Sequence, residues 1–339
     1  MMITIVTQSD LINQDEWRLF IQNHPKGSVF QTPEMFDCYV QTPGCIPMLF
    51  AAYSDKALCG VLVATILKEN GRIKSHFSTR SIIQSGPIVK DDNSFILESL
   101  LKEYSRTIPR DVIYTQIRNQ FDWLHCCDSF RKYGFVYEPH LDFLIHLDTE
   151  EDMWSRIGRG RRQQIRKAQK NGLFVKTFID ECLTEDLIED GYKSISEVYR
   201  RANLPLVDIK QIDAARRNHI LCLFVVYTSD GSVAGGRFAL RFGKTLYGWY
   251  AGSYQKYLHL FPNDILIWET IKWAMQNGFT VFDYGGAGSP NKEYGVRNYK
   301  SQLGGELVNW GRFEKKHKPF MFFIAKHLYS FYRKFFSFR

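Results

Sequence analysis

The chain has 339 residues, 45% of them hydrophobic and 24% charged, which is apolar material for about two cores of ordinary domain size. A formal charge of +8 favours a polyanionic partner such as nucleic acid, a phosphorylated precursor or anionic lipid. No stretch reaches the roughly 18 uncharged apolar residues of a membrane-crossing helix, and residues 1–10 lack the basic start and apolar middle of a secretory signal. The seven cysteines are scattered, without the paired spacing of a zinc site or the density of a disulfide scaffold, so a reducing cytoplasm is the expected location.

In chain order, Asp15–Gln22 reads as a helix, and Thr32-Pro33-Glu34 opens another, with a threonine cap and proline in the first turn. Leu49–Asp55 and Cys59–Ala64 form a predicted hairpin. Ser94–Ser105 follows as a helix, and Val112–Ile117 and Phe143–Leu147 as strands. The later half repeats this grammar. A helix over 159–169 ends at Asn171-Gly172, then come strand Leu173–Phe178 and a helix over Tyr192–Ala202. A second hairpin follows, in which Leu223-Phe224-Val225-Val226-Tyr227 echoes Leu49-Phe50-Ala51-Ala52-Tyr53. Lys244–Ala251 is strand-like, Asn263–Gln276 a strong helix, and Phe279–Tyr284 a strand running into Gly285-Gly286-Ala287-Gly288. The alternation predicts a mixed α/β (α+β) fold of two related domains, 1–148 and 149–312, with a tail over 313–339.

Three segments carry candidate chemistry. Between Trp154 and Lys176 every charged residue is basic, and Arg162, Arg166 and Lys170 recur every fourth position, sharing a helix face opposite Ile165 and Ala168. Guanidinium forks of this kind grip the phosphate oxygens of a precursor or of nucleic acid, although a merely solvated helix face has the same pattern. The glycines from Gly285 to Gly288 would let amides converge on an anion. They match neither a dinucleotide fingerprint nor a Walker loop, and a plain turn reads the same way. Tyr299-Lys300 follows shortly, where a lysine can hold an oxyanion or a phosphate; alone, it is equally a surface charge. Tyr247, Trp249, Tyr250, Tyr254 and Tyr257 crowd the same region, either lining a pocket or packing.

No histidine, cysteine or carboxylate grouping has metal-ligand spacing, and no Gly-x-Ser-x-Gly elbow is present, so no metal and no bound cofactor are expected. The tail mixes Phe320, Phe322, Phe323, Phe331 and Phe335 with Lys315, Lys316, Lys318, Lys326 and Arg333. That is the composition of an interfacial helix on an anionic membrane, or of a helix docked on a neighbouring domain.

Taken in order, six segments resemble the Fem family of aminoacyl transferases, which build peptidoglycan interpeptide bridges, and the wider N-acetyltransferase (GNAT) group related to it. They are Arg161–Gly172 with Leu173-Phe174-Val175, Tyr199–Pro205, Tyr247–Ser253, Pro262–Trp273, Phe282–Gly286 and Tyr299–Gly305. The likeness is strong from Arg156 to Arg312 and fainter over residues 1–145, where Gly27–Thr32 and Ser85-Gly86-Pro87 are the recognisable points. The resemblance implies tandem GNAT-like domains and the transfer of an aminoacyl group from a charged tRNA to the amine of a cell-wall precursor. It implies that Tyr299-Lys300 stabilises charge developing at the acyl carbonyl, and that Arg200 or Arg201 and Tyr250 contact substrate. Glu314 matches an acidic position of the family, and Tyr247, Gly285 and Gly286 fall within its motifs.

Two departures leave the donor open between aminoacyl-tRNA and acyl-CoA. No helical-hairpin arm of the kind some Fem enzymes insert is visible, and the acyl-CoA signature Arg/Gln-x-x-Gly-x-Gly/Ala is absent in clean form. Beside the Fem-like reading, whose partner is a nucleotide- or lipid-linked envelope precursor at the inner face of the membrane, two others remain. One is an acyl-CoA-dependent N-acyltransferase acting on an amino sugar of a surface polysaccharide or lipid; the other is a non-catalytic nucleic-acid or membrane-binding module.

Overall fold

Side-chain caps start the helices where the sequence offers them. Asn13 accepts the amides of Asp15 and Glu16 ahead of α1 (Gln14–Asn23), Thr32 caps α2 (Pro33–Val40), and Asn93 caps α3 (Ser94–Thr107). A short α4 (Cys127–Lys132) follows. Thr149 caps α5 (Glu150–Arg156), which leads into α6 (Arg159–Lys170), while Thr184 and Asp208 cap α7 (Glu185–Arg201) and α8 (Ile209–Arg217). Then come α9 (Pro262–Gln276) and α10 (Gly295–Lys300). The computed structural model describes residues 2–69, 71 and 77–325.

The chain divides into two compact units, one running to His140 and resuming at Asn309, the other spanning Leu141–Val308. The first is built on β1 (Thr4–Val6), β2 (Cys45–Ser54), β3 (Ala57–Leu67), β4 (Arg80–Gln84), β5 (Ile88–Val89), β6 (Tyr114–Arg118), β7 (Val136–Glu138) and β15 (Arg312–Lys316). Their order is β1-β2-β3-β4-β6-β15-β7, with β5 also pairing β3. Phe50, Leu62, Leu97, Tyr104, Ile117, Phe130 and Phe313 form its core. The second unit comprises β8 (Leu141–His146), β9 (Phe174–Ile179), β10 (Leu221–Tyr227), β11 (Val233–Phe242), β12 (Thr245–Ser253), β13 (Val281–Gly288) and β14 (Glu306–Val308), in the order β14-β8-β13-β12-β11-β10-β9. Its core gathers Ile145, Ile165, Phe224, Leu246, Trp268, Ile271 and Phe282.

The two sheets repeat one plan, as the internal echo predicts. Each carries the expected antiparallel hairpin, β2–β3 and β10–β11, and each hairpin has an irregularity at the equivalent place, between Ala52 and Tyr53 and between Val226 and Tyr227. Each also has one parallel pair joined through a helix, β4 and β6 across α3, and β12 and β13 across α9.

Two strands lie where the sequence does not put them. Phe143–Leu147 reads as a strand of the first half, but β8 pairs antiparallel with β13 and β14 in the second sheet. Phe313 to Lys316 reads as the start of a tail, but β15 lies between β6 and β7 of the first sheet. The units therefore divide the chain at Leu141 and Asn309 rather than at residues 149 and 313. The cause is pairing: β8 and β15 fill the same position in the two sheets, each reached from the opposite half of the chain. Phe313, 1% exposed, stacks on Phe130 with ring centroids 4.0 Å apart. Beyond β15, Phe320 and Phe323 are exposed, while Lys326, Phe331, Arg333 and Phe335 lie outside the described residues. Among the described residues no helix is long and apolar enough to cross a membrane, and no group of three or more His, Cys, Asp or Glu could hold a metal ion.

Candidate active site

The parallel pairs differ between the units. In the first, β4 and β6 pair along their whole length, Arg80–Gln84 against Tyr114–Arg118. In the second, β12 and β13 pair only from Thr245/Val281 to Tyr247/Asp283, and beyond that the two strands run on to Ser253 and Gly288 without pairing each other. Strands that part at their C-terminal ends leave an opening in an α/β sheet, the usual place for a ligand in such folds.

Lys300, at the end of α10, lies at this opening and is only 8% exposed. Its Nζ donates to the carbonyl oxygens of Tyr284 at 2.5 Å, Gly285 at 2.8 Å and Gly286 at 3.0 Å, and stands 4.6 Å from the centre of the Tyr284 ring. Those carbonyls are available because the glycines form no loop. β13 continues through them, with register irregularities between Asp283 and Gly285 and between Gly286 and Gly288. The expected turn with amides gathered on an anion is thus a bulged strand with carbonyls gathered on a cation. At Gly285 φ is +75°, a conformation that favours glycine.

Burial pushes the Lys300 ammonium down to about 8, and Arg237 adds to this while Asp142 and Asp283 pull it up. Asp283, 5% exposed, accepts the Gly285 amide on Oδ1 at 2.8 Å. Burial, then the nearby Asp142, raises its carboxyl well above the usual range. Beside Lys300, the Tyr299 hydroxyl donates to Asn263 O at 3.4 Å, and its ring lies under the Arg161 guanidinium at 4.4 Å. Burial raises this phenol well above its ordinary value, so it is a neutral donor. Arg161 is in turn paired with the buried Asp264 at 3.0 Å.

The other sequence candidates are dispersed. Tyr247 is half-buried on β12, its hydroxyl 3.8 Å from where a Gly285 Cβ would stand, so it belongs with Lys300. Tyr250 meets Tyr199 of α7 edge-on at 5.7 Å. Arg162 is half-buried and Arg166 exposed on α6; Arg166 sits over Trp154 at 5.4 Å, while Ile165 and Ala168 are buried as expected. Arg200 and Arg201 are exposed on the last turn of α7, with Arg201 3.8 Å from Glu197. Glu314 is a residue of β15, paired with Lys316 at 3.8 Å, and so belongs to the first unit, whereas Lys300 belongs to the second. The first unit has a cavity of about 590 Å³ lined by Phe20, His24, Lys26, Leu58 and Asp92, where Lys26 is already held by Asp92 at 2.6 Å.

Sequence reasoning gave no role to Arg237, Asp142, Asp283, Tyr199 or the Arg161–Asp264 pair, and took Tyr284 only as the start of the glycine segment. For Arg237 a signal existed: one arginine inside the apolar run Val233-Ala234-Gly235-Gly236-Arg237-Phe238-Ala239-Leu240 is anomalous for a buried strand.

Residues 159–301 match the family model of the acetyltransferase (GNAT) domain. The fold is that of FemX, with a TM-score of 0.73 at 15% identity over 96% of this chain and 100% of that one. It is also similar to L-PGS from Bacillus licheniformis (TM-score 0.58, 11% identity, 93% and 96% of the chains) and to a tandem GNAT protein of the clavulanic acid pathway (TM-score 0.56, 9% identity, 93% and 99%). No curated protein matches the chain by sequence. Residues 159–301 thus form a domain matching the acetyltransferase (GNAT) family, and the two-unit fold is similar to those of FemX and of the tandem GNAT protein.

Proposed function

We propose that this chain, a GNAT-class acyltransferase with a FemX-like fold, transfers an aminoacyl group from aminoacyl-tRNA to an amine of a cell-envelope precursor. The observation that carries the reading is the Lys300 ammonium, buried where two parallel strands part. A neutral amine attacks the acyl carbonyl carbon, and the carbonyl π pair moves onto oxygen. As the tetrahedral species collapses, the ester oxygen leaves and takes up the proton the amine loses. A fixed cation near the developing oxyanion lowers that barrier, and in a water-poor site it does so far more than in solvent. Reaching the oxyanion costs Lys300 one of its three carbonyl contacts, which the other two leave it placed to make.

Tyr247, whose hydroxyl lies beside Gly285 next to Lys300, is placed to orient acceptor or donor. The basic face of α6, with Arg162, Arg166 and Lys170, is suited to phosphates of the donor or acceptor. The acetyltransferase family match favours a second donor, an acyl-CoA thioester, for which the same step holds with sulfur as the leaving atom.

Purified protein with radiolabelled aminoacyl-tRNA or acetyl-CoA and a panel of amine acceptors decides between them. Consumption of aminoacyl-tRNA that requires an amine supports the first reading. Turnover of the thioester alone selects the second, and no acyl loss from either donor removes acyl transfer altogether.

A further inference from the structure

Arg237 is 4% exposed on a strand that is otherwise apolar around it. Its side chain crosses β12 at Gly248, where a Cβ would stand 3.2 Å from the guanidinium Nη1 and 3.0 Å from Phe282 and so crowd both. The guanidinium carbon then lies 5.1 Å from the centre of the Tyr284 ring and 5.6 Å from that of Phe282, at the point where β12 and β13 cease to pair. Arg241 of the same strand forks onto Asp180, and Arg161 reaches Asp264. Arg237 has no such carboxylate among the described residues. Among those residues its buried Nε finds no hydrogen-bond partner, and the hydrogen bond it does make, from Nη2 to the Tyr284 hydroxyl, is long at 3.5 Å.

A buried guanidinium without an anion destabilises the free protein, and such an arrangement persists where a bound partner completes it. We propose that Arg237 is an anion-binding residue of this site, taking an oxyanion of the substrate, a carboxylate or a phosphate, where the two strands part. Arginine suits the task because its fork meets two oxygens of either group at once. The Lys300 ammonium and the Arg237 guanidinium both border the Tyr284 ring, at 4.6 and 5.1 Å. A substrate anchored by its anion on Arg237 therefore brings an adjoining carbonyl or amine to Lys300. Tyr199 lies close enough for Arg237 to act on its hydroxyl, and burial holds that phenol at about 12, neutral and able to donate to the same anion. What the anion is attached to rests on the acyl-transfer reading; its binding does not.

The test uses the full chain and no acyl donor. Thermal unfolding and titration calorimetry follow pyrophosphate, N-acetylglycine and the uncharged N-acetylglycinamide at constant ionic strength. Wild type is expected to bind one of the two anions and not the amide; a response to pyrophosphate alone assigns a phosphate, and to N-acetylglycine alone a carboxylate. Arg237→Met, which keeps the apolar stem, is expected to unfold at a higher temperature than ligand-free wild type and to bind the anion about tenfold more weakly or worse. Arg237→Lys keeps a charge without the fork and falls between. Absence of anion binding by wild type overturns the proposal, as does unchanged binding in Arg237→Met. A Met variant less stable than wild type makes Arg237 a packing residue and overturns it as well. Loss of all transfer activity with the anion response intact would remove the acyl-transfer reading and leave this one standing.

Discussion

Lys300 Nζ donates to the carbonyl oxygen of Gly285 at 2.8 Å, so the bulge that interrupts β13 is also what fixes the ammonium at the parted strands. If that ammonium stabilises the oxyanion, Lys300→Met should lower kcat by about 10²–10³-fold with little change in KM. Lys300→Arg keeps the charge and should retain part of the rate. Because the charged form acts, wild-type kcat should fall as pH rises through about 8, and in the arginine variant that fall should be missing. Steady-state kinetics of the three proteins between pH 6 and 10 checks this; a methionine variant with full kcat would take Lys300 out of the chemistry.

The same residue makes stability depend on pH. Its folded-state value of about 8 lies below the ordinary 10.5, so between the two the unfolded chain holds a proton that the folded chain has lost. Unfolding free energy therefore rises with pH across that window, and below about 8 the whole cost of burying the charge is present. Relative to Lys300→Met, wild type should gain on the order of 3 kcal/mol from pH 7.5 to 10.5. Urea unfolding of both proteins at the two pH values measures it, and a constant difference would mean an ordinary ammonium.

Asp264 is 4% exposed and owes its compensation to Arg161 at 3.0 Å. Burial pushes its carboxyl up, and the guanidinium pulls it back. Arg161→Met strands the carboxylate and should cost about 3–5 kcal/mol; adding Asp264→Asn should restore most of that loss. Losses that simply add in urea unfolding would show that the two groups act independently.

Those pairs show where the sequence is informative. The hairpins, the helix over α9 and the duplicated plan are visible because apolar periodicity and caps are local signals. Lys300 is visible too, since Tyr299-Lys300 sits within a motif. Its environment is not, because Asp142, Arg237 and Arg161 come from three elements far apart in the chain, and Arg161 is one of several arginines in Arg159–Arg166 that composition cannot rank. The glycines mislead for a related reason: whether Gly285 and Gly286 form a turn or a bulge depends on the pairing of β13 with β8, and β8 itself reads as part of the other half.

That exchange of strands yields the last prediction. β15 is the shared partner of β6 and β7, and β8 is the shared partner of β13 and β14. A chain ending at residue 308 lacks β15 and with it Phe313, whose removal alone is worth about 3–5 kcal/mol in a packed core. Its first unit should unfold or become protease-sensitive while the second survives. The fragment 141–308 keeps all strands of the 7-stranded sheet and should melt cooperatively. The fragment 149–312, cut where the sequence alone would cut it, lacks β8 and strands β13, the element whose carbonyls hold Lys300. It should show no cooperative transition by circular dichroism and rapid cleavage under limited proteolysis. A stable, cooperative 149–312 fragment would show that β13 holds its bulge without β8, and the account of how Lys300 is positioned would then rest on α10 alone.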